Sequence, residues 1–150
     1  MSESVEFSVN RATETELIAH LTLCDAAFIP PLSERVDIRA YAQKMLSNAI
    51  RFEAWQGGEI VGLVVSYCND LEKRTAFVTS VSVVQQWKCR GIAKNLMVNC
   101  VHHMRQQAFE CIELEVAQHN NSAISLYERC GFVPDRNSGP SLVMKLVLRK

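Results

Sequence analysis

Lys88, Arg90 and Lys94 crowd around one glycine, Gly91, in the stretch QQWKCRGIAKNLM, just where an apolar stripe of helical spacing begins. A helix start carries partial positive charge, so three cations there are unfavourable on their own. The chain as a whole is neutral, with 16 basic and 16 acidic residues, so the local surplus is not the by-product of a basic protein. The first N–H groups of a helix have no internal partner. Beside a glycine they form a cradle that an anion can approach closely. A phosphate or pyrophosphate held between those amides and the side chains of Lys88 and Arg90 would account for the charge. A turn carrying solvated cations is the alternative, and this loop alone does not separate the two. The nucleotide patterns G-x-x-x-x-G-K-[ST] and G-x-G-x-x-G are both missing.

Other groups able to do chemistry are scattered. The six cysteines, Cys24, Cys68, Cys89, Cys100, Cys111 and Cys130, contain no C-x-x-C pair. Together with a start, MSESVEFSVN, that lacks an apolar signal region, they point to reduced thiols in a cytoplasmic protein. Cys100, His102, His103 and Cys111 fit no common zinc spacing, so no metal is expected. Zero net charge argues against a general grip on nucleic acid. The longest apolar runs are too short to span a bilayer. A length of 150 residues with 48% apolar content suggests one domain with ample core.

The elements that must position these groups follow from periodicity. VEFSVNRA alternates and predicts a first strand. TETELIAHLTLCDAAF predicts a helix, with Thr13 and Glu16 spaced as a capping box. Pro30 and Pro31 end it. A second helix is expected from Asp37 to Ala49, with Ile38, Tyr41, Ala42, Met45 and Ala49 on one apolar face. IRFEAW and EIVGLVVSYC flank Gln56-Gly57-Gly58 as a hairpin, and TAFVTSVSVV is a further strand. A helix over 91–108, a strand CIELEV, a helix NNSAISLYERC closed by Gly131, and a strand SLVMKLVL complete the chain. One or two short strands near Phe132 are left open. The order β-α-α-β-β-β-α-β-α-β gives a mixed α/β domain, a sheet covered by helices.

Taken together, the loop and the later stretch LEVAQHNNSAISLYERCGF resemble the GNAT superfamily of N-acetyltransferases. The family loop [RQ]-x-x-G-x-[GA] corresponds to Lys88-Cys89-Arg90-Gly91-Ile92-Ala93, with lysine as a departure at the first position. The pattern L-E-V…N-x-x-A-I-x-L-Y-x-x-x-G-F is matched from Leu114 through Asn120, Ala123, Ile124, Leu126 and Tyr127 to Gly131-Phe132. The likeness covers residues 75–134 and is more specific in its second part. It implies a centrally splayed sheet flanked by helices (the GNAT fold), residues 1–150 forming one N-acetyltransferase domain, and acetyl-CoA as co-substrate without a metal.

The resemblance also assigns roles. The pantetheine arm of CoA would lie between TSVSVV and CIELEV and pair with the backbone of Val81 and Val83. A backbone N–H of that first strand would stabilise the thioester oxyanion. The pyrophosphate would rest on amides from Cys89, Arg90, Gly91, Ile92 and Ala93, beside Lys88. Asn120 would touch the CoA arm, or cap its helix. Tyr127 would protonate the departing thiolate. The strand before the loop offers Thr79, Ser80 and Ser82 but no carboxylate, so the general base implied is Glu115, which shares a strand face with Glu113. His119, Asp70 or a chain of water are weaker substitutes.

The acceptor pocket is expected from the N-terminal third, with Phe28, Leu32 and Tyr67 as walls and Arg35, Asp70 and Glu72 as polar anchors. The partly apolar segment FIPPLSER favours a small-molecule amine such as an amino sugar as acceptor. A protein N-terminal acetyltransferase, a non-catalytic CoA-binding module and a nucleotide-binding domain of another fold are the alternatives. By the same resemblance a homodimer through the final strand is one available assembly.

Overall fold

The computed structural model describes residues 4–148. The strands are β1 (Glu6–Val9), β2 (Ala49–Gln56), β3 (Glu59–Asp70), β4 (Thr75–Val83), β5 (Cys111–Ala117), β6 (Val133–Ser138) and β7 (Ser141–Val147). The helices are α1 (Glu14–Cys24), α2 (Ile38–Asn48), α3 (Ile92–Gln106) and α4 (Asn121–Arg129). The expected order is present, with β6 added before the last strand. All six residues of β6 are exposed and one is proline, so it carries no alternating apolar signal.

Local chemistry sets the helix starts. Thr13 N–H donates to Glu16 Oε1 at 2.9 Å and Glu16 N–H to Thr13 Oγ1 at 3.3 Å, closing the capping box. Asp37 Oδ1 accepts from Ala40 N–H at 2.9 Å. The first helix is shorter than periodicity suggests: Asp25–Ala27 tightens into a 3-10 turn before the prolines.

The seven strands form one sheet in the order β1-β2-β3-β4-β5-β7-β6. Only β4 and β5 run parallel; every other neighbouring pair is antiparallel. One face buries Leu17, Leu21, Leu32, Ala42, Met45, Leu63 and Val65 under α1 and α2. The other packs α3 and α4 through Leu96, Met97, Met104, Ile112, Leu114, Tyr127 and Phe132. A methyl at Gly62 would stand 2.5 Å from Ile92 Cγ2, so glycine there lets the start of α3 lie directly on the sheet.

One buried acid escaped the sequence reading. Glu53, fully buried, accepts from Ser8 Oγ, the Arg11 and Ala12 N–H groups and Trp55 Nε1, and pairs with Arg51 Nε at 3.3 Å. A buried carboxylate needs such partners; here they fasten the β1–α1 connection to β2.

Candidate functional site

β4 and β5 are in register only from Thr75–Cys111 to Val78–Leu114. Beyond Val78 they part. The parting coincides with a bulge: Val65 opposes Ser80 and Ser66 opposes Val78, which leaves Thr79 as an extra residue. The bulge also shifts the phase of β4. Ala76 and Val78 before it, and Val81 and Val83 after it, all face the α3 side. Val84 N–H donates to Val61 O on β3 at 2.9 Å. By strand alternation the backbone groups of Val83 and Val81 therefore point the other way, into the gap.

At the mouth of the gap stands the cationic loop. Cys89 and Gly91 both have positive φ, 64° and 78°, and Gly91 is the N-cap of α3. Asn95 N–H is bonded to Gly91 O at 3.0 Å. Among the described residues, the amides of Ile92, Ala93 and Lys94 have no backbone acceptor. Nothing lies within 4 Å of where a side chain at Gly91 would project. Open amides, open space and exposed Lys88 fit a diphosphate. The Arg90 guanidinium lies over the Trp87 ring, 4.5 Å from its centre. A cleft of about 300 Å³ runs from here between α1 and the end of β4, lined by Leu23, Cys24, Ala27, Val83, Gln85 and Lys88 among others. Burial pushes the Cys24 thiol up to about 11, so it lines the cleft as a neutral thiol. A second concavity of about 260 Å³, between β1 and α3, contains none of the expected site residues.

Tyr127 and Glu115 lie on opposite faces of β5. Tyr127 is buried with Leu114 and Val116 in the α3/α4 core, its ring edge-on to Phe132. Burial raises its phenol pKa above the ordinary value, chiefly by desolvation. Among the described residues no side chain hydrogen-bonds its hydroxyl. Glu115 alternates with Leu114 and Val116 and is exposed on the opposite face, beside Val143. Glu113, on that same face, is held by Arg136 Nη2 at 3.3 Å. Among the described residues Glu115 has no ion pair. Asn120 caps α4, its Oδ1 accepting from Ala123 N–H at 3.2 Å. His119 is exposed in the β5–α4 connection.

The expected acceptor residues are not brought together as one set. Leu32 is 1% exposed and belongs to the α1/α2 core. Phe28 is half-buried against that core. Asp70 pairs with Thr75 and accepts from Lys73 N–H at 3.1 Å in the β3–β4 turn. By strand rise that is about 13 Å from the bulge. Arg35 and Glu72 are exposed. Tyr67 is the one that sits beside the bulge; its hydroxyl is buried without a partner, as is Ser80 Oγ.

Two groups near the gap carried no signal beyond apolar-face spacing. His20 on α1 is buried, and burial pushes its pKa down to about 4. Its Nδ1 is 2.9 Å from Ile60 O, which can only accept, so Nδ1 carries the proton. Nε2 then accepts from Ser82 Oγ at 2.8 Å. Tyr41, on the apolar stripe of α2, donates its hydroxyl proton to Thr79 O at 3.0 Å. With that proton committed, Thr79 Oγ1 is the donor in the 2.9 Å contact with the Tyr41 oxygen.

The pattern of the Acetyltransferase (GNAT) family matches residues 16–132. N-alpha-acetyltransferase MAK3 of Arabidopsis thaliana is 28% identical over 116 residues, 76% of this chain and 61% of that protein. Human N-alpha-acetyltransferase 30 is 31% identical over 107 residues, 65% of this chain and 30% of that protein. The chain thus spans less than two thirds of the length of either relative. Among solved structures, PaiA N-acetyltransferase from Thermoplasma acidophilum in complex with coenzyme A superposes with a TM-score of 0.77 at 14% identity, covering 96% of this chain and 99% of that one. The ribosomal-protein-S18-alanine N-acetyltransferase of Escherichia coli gives 0.76 at 17% identity, covering 97% and 96%. At these identities the two structures establish a shared fold.

Proposed function

The chain belongs to the acetyltransferase (GNAT) family, and from that premise we propose that it transfers an acetyl group from acetyl-CoA to the α-amino group of a protein or peptide N-terminus. The observation that carries acetyl transfer is the split between β4 and β5 beyond Val78, with the open amides of residues 92–94 at its mouth. The N-terminal acceptor is supported by the two relatives named N-alpha-acetyltransferases. It replaces the amino sugar favoured by the apolar segment FIPPLSER. That segment is consistent with core packing, because Leu32 spends its apolar surface against α1 and α2.

Acetyl-CoA is the acyl donor in this scheme. The amides of Ile92 and Ala93 with Lys88 hold the diphosphate, and the backbone of Val81 and Val83 pairs with the pantetheine amides. The thioester then lies in the gap with a different group on either side. Glu115 takes the proton that an ammonium group must lose before it can attack, through water reaching the open face. Tyr127 donates a hydrogen bond to the departing sulfur from the opposite face. Its phenol is a weaker acid than a thiol of pKa about 8.5. Complete transfer from it is therefore uphill, and its contribution is to stabilise the thiolate until solvent supplies the proton.

Incubation with acetyl-CoA and a mixture of free-N-terminus peptides, amino sugars, polyamines and amino acids tests this, with mass spectrometry as the readout. Acetylation of peptide α-amines is expected. Turnover confined to amino sugars or polyamines would refute the acceptor assignment, and no CoA release with any amine would refute the activity.

A further inference from the structure

We infer that Tyr41 is a positioning residue for the acetyl-transfer step, acting by clamping the β4 bulge that opens the gap. The inference rests on the acetyl-transfer reading of that gap. A bulge leaves one residue outside the ladder, with its carbonyl turned away from the neighbouring strand. Here that residue is Thr79, and both of its acceptor-capable oxygens engage one phenol on α2. Without this partner the half-buried Thr79 carbonyl would lose a hydrogen bond, at a cost that favours sliding the extra residue back into register.

Register is what the clamp protects. Because side chains and backbone groups alternate with period 2, erasing the bulge would shift the rest of β4 by one residue and exchange which residues face the core and which amides face the gap. Val81 and Val83 would turn away from the α3 face, and Ser80 and Ser82 would turn toward it. Ser82 would lose His20, which now fixes it to the α1 side. Tyr41 and His20 thus hold the same strand from two helices, on either side of Ser80. Tyr41 lies at the point where β4 leaves β5, so its hydroxyl governs the amides nearest the thioester carbonyl.

Tyr41→Phe removes only the hydroxyl and leaves the ring in place. The expected result is a fall in kcat of about tenfold or more with KM for acetyl-CoA within about threefold of wild type, because an oxyanion donor acts on the transition state. Amide hydrogen exchange should quicken at least about tenfold at Thr79, Ser80 and Val81 while Val64 and Leu114 keep their wild-type rates. A wild-type kcat in Tyr41→Phe would overturn the inference, even with faster local exchange. So would exchange that quickens equally along β3 and β5, which marks a purely structural bond. If the wild-type protein acetylates no amine, the proposed function falls instead. The exchange pattern then still decides whether Tyr41 clamps the bulge.

Discussion

The two walls of the gap are built differently. The β4 wall is fixed by polar contacts from outside the sheet: His20 on α1 reaches Ser82, and Tyr41 on α2 reaches Thr79. The β5 wall is fixed by apolar packing, with Ile112, Leu114 and Val116 buried against the α3/α4 side, and it turns its acids outward. Directional bonds suit a wall whose backbone must offer N–H groups at set positions. Non-directional packing suits a wall that only has to present side chains, because apolar contacts set depth more than rotation.

The largest effect expected lies on the β5 side. Tyr127→Phe should lower kcat by about 10²-fold or more, the scale of a positioned acid, while the melting temperature stays close to wild type and CoA still binds calorimetrically. Burial raises the Tyr127 pKa, so the unfolded state loses its phenolic proton first. Stability should fall as pH climbs past the ordinary value of about 10, while the folded enzyme keeps its hydrogen-bond donor there. Retained turnover in the Phe variant would remove the phenol from the mechanism.

Glu115 and Glu113 allow a comparison within one strand face. Glu115→Gln should lower kcat/KM by about 10²-fold. Glu113→Gln, which loses only a partly exposed ion pair with Arg136, should stay within about twofold. Equal losses from both would mean that net charge, and not a base, is being read.

On the β4 wall the first effect is on stability. His20 has a pKa of about 4 folded against 6.5 unfolded. Its contribution is complete above pH 6.5 and is lost as pH falls toward 4, because only the unfolded state takes up the proton. The loss amounts to roughly 3 kcal/mol at about 1.4 kcal/mol per unit. Urea unfolding between pH 7 and 4.5 should show that slope in wild type and a shallower one in His20→Gln. Gly62→Ala forces a methyl to 2.5 Å from Ile92 Cγ2, which a β-branched residue at a buried helix start cannot easily yield. It should cost about 1–3 kcal/mol and raise KM for acetyl-CoA by moving the cradle. An unchanged KM would separate the start of α3 from cofactor binding.

Sequence alone was informative wherever a local rule acts. The capping box at Thr13, the hairpin at Gly57-Gly58 and the cationic loop at Gly91 are each set by a few neighbouring residues. The motif from Leu114 to Phe132 carried the family. β6 carries no apolar period because an exposed edge strand needs none. How the expected acceptor residues stand to one another is not a local matter. Phe28, Leu32, Tyr67 and Asp70 come from separate elements, and the sheet places Leu32 in the core and Asp70 at the far end of β4.

Hydrophobic period and turn chemistry, which act within about a dozen residues, determined the elements, their order and the charge around Gly91. The long-range pairings were decided only in three dimensions. The bulge at Thr79 exists because Val65 meets Ser80 and Ser66 meets Val78. Tyr41 and His20 become polar clamps only when α1 and α2 fold down on β4. Whether a polar group on a buried helix face lies idle or holds a strand depends on what lies opposite it, and that partner is 38 residues away for Tyr41 and 62 for His20.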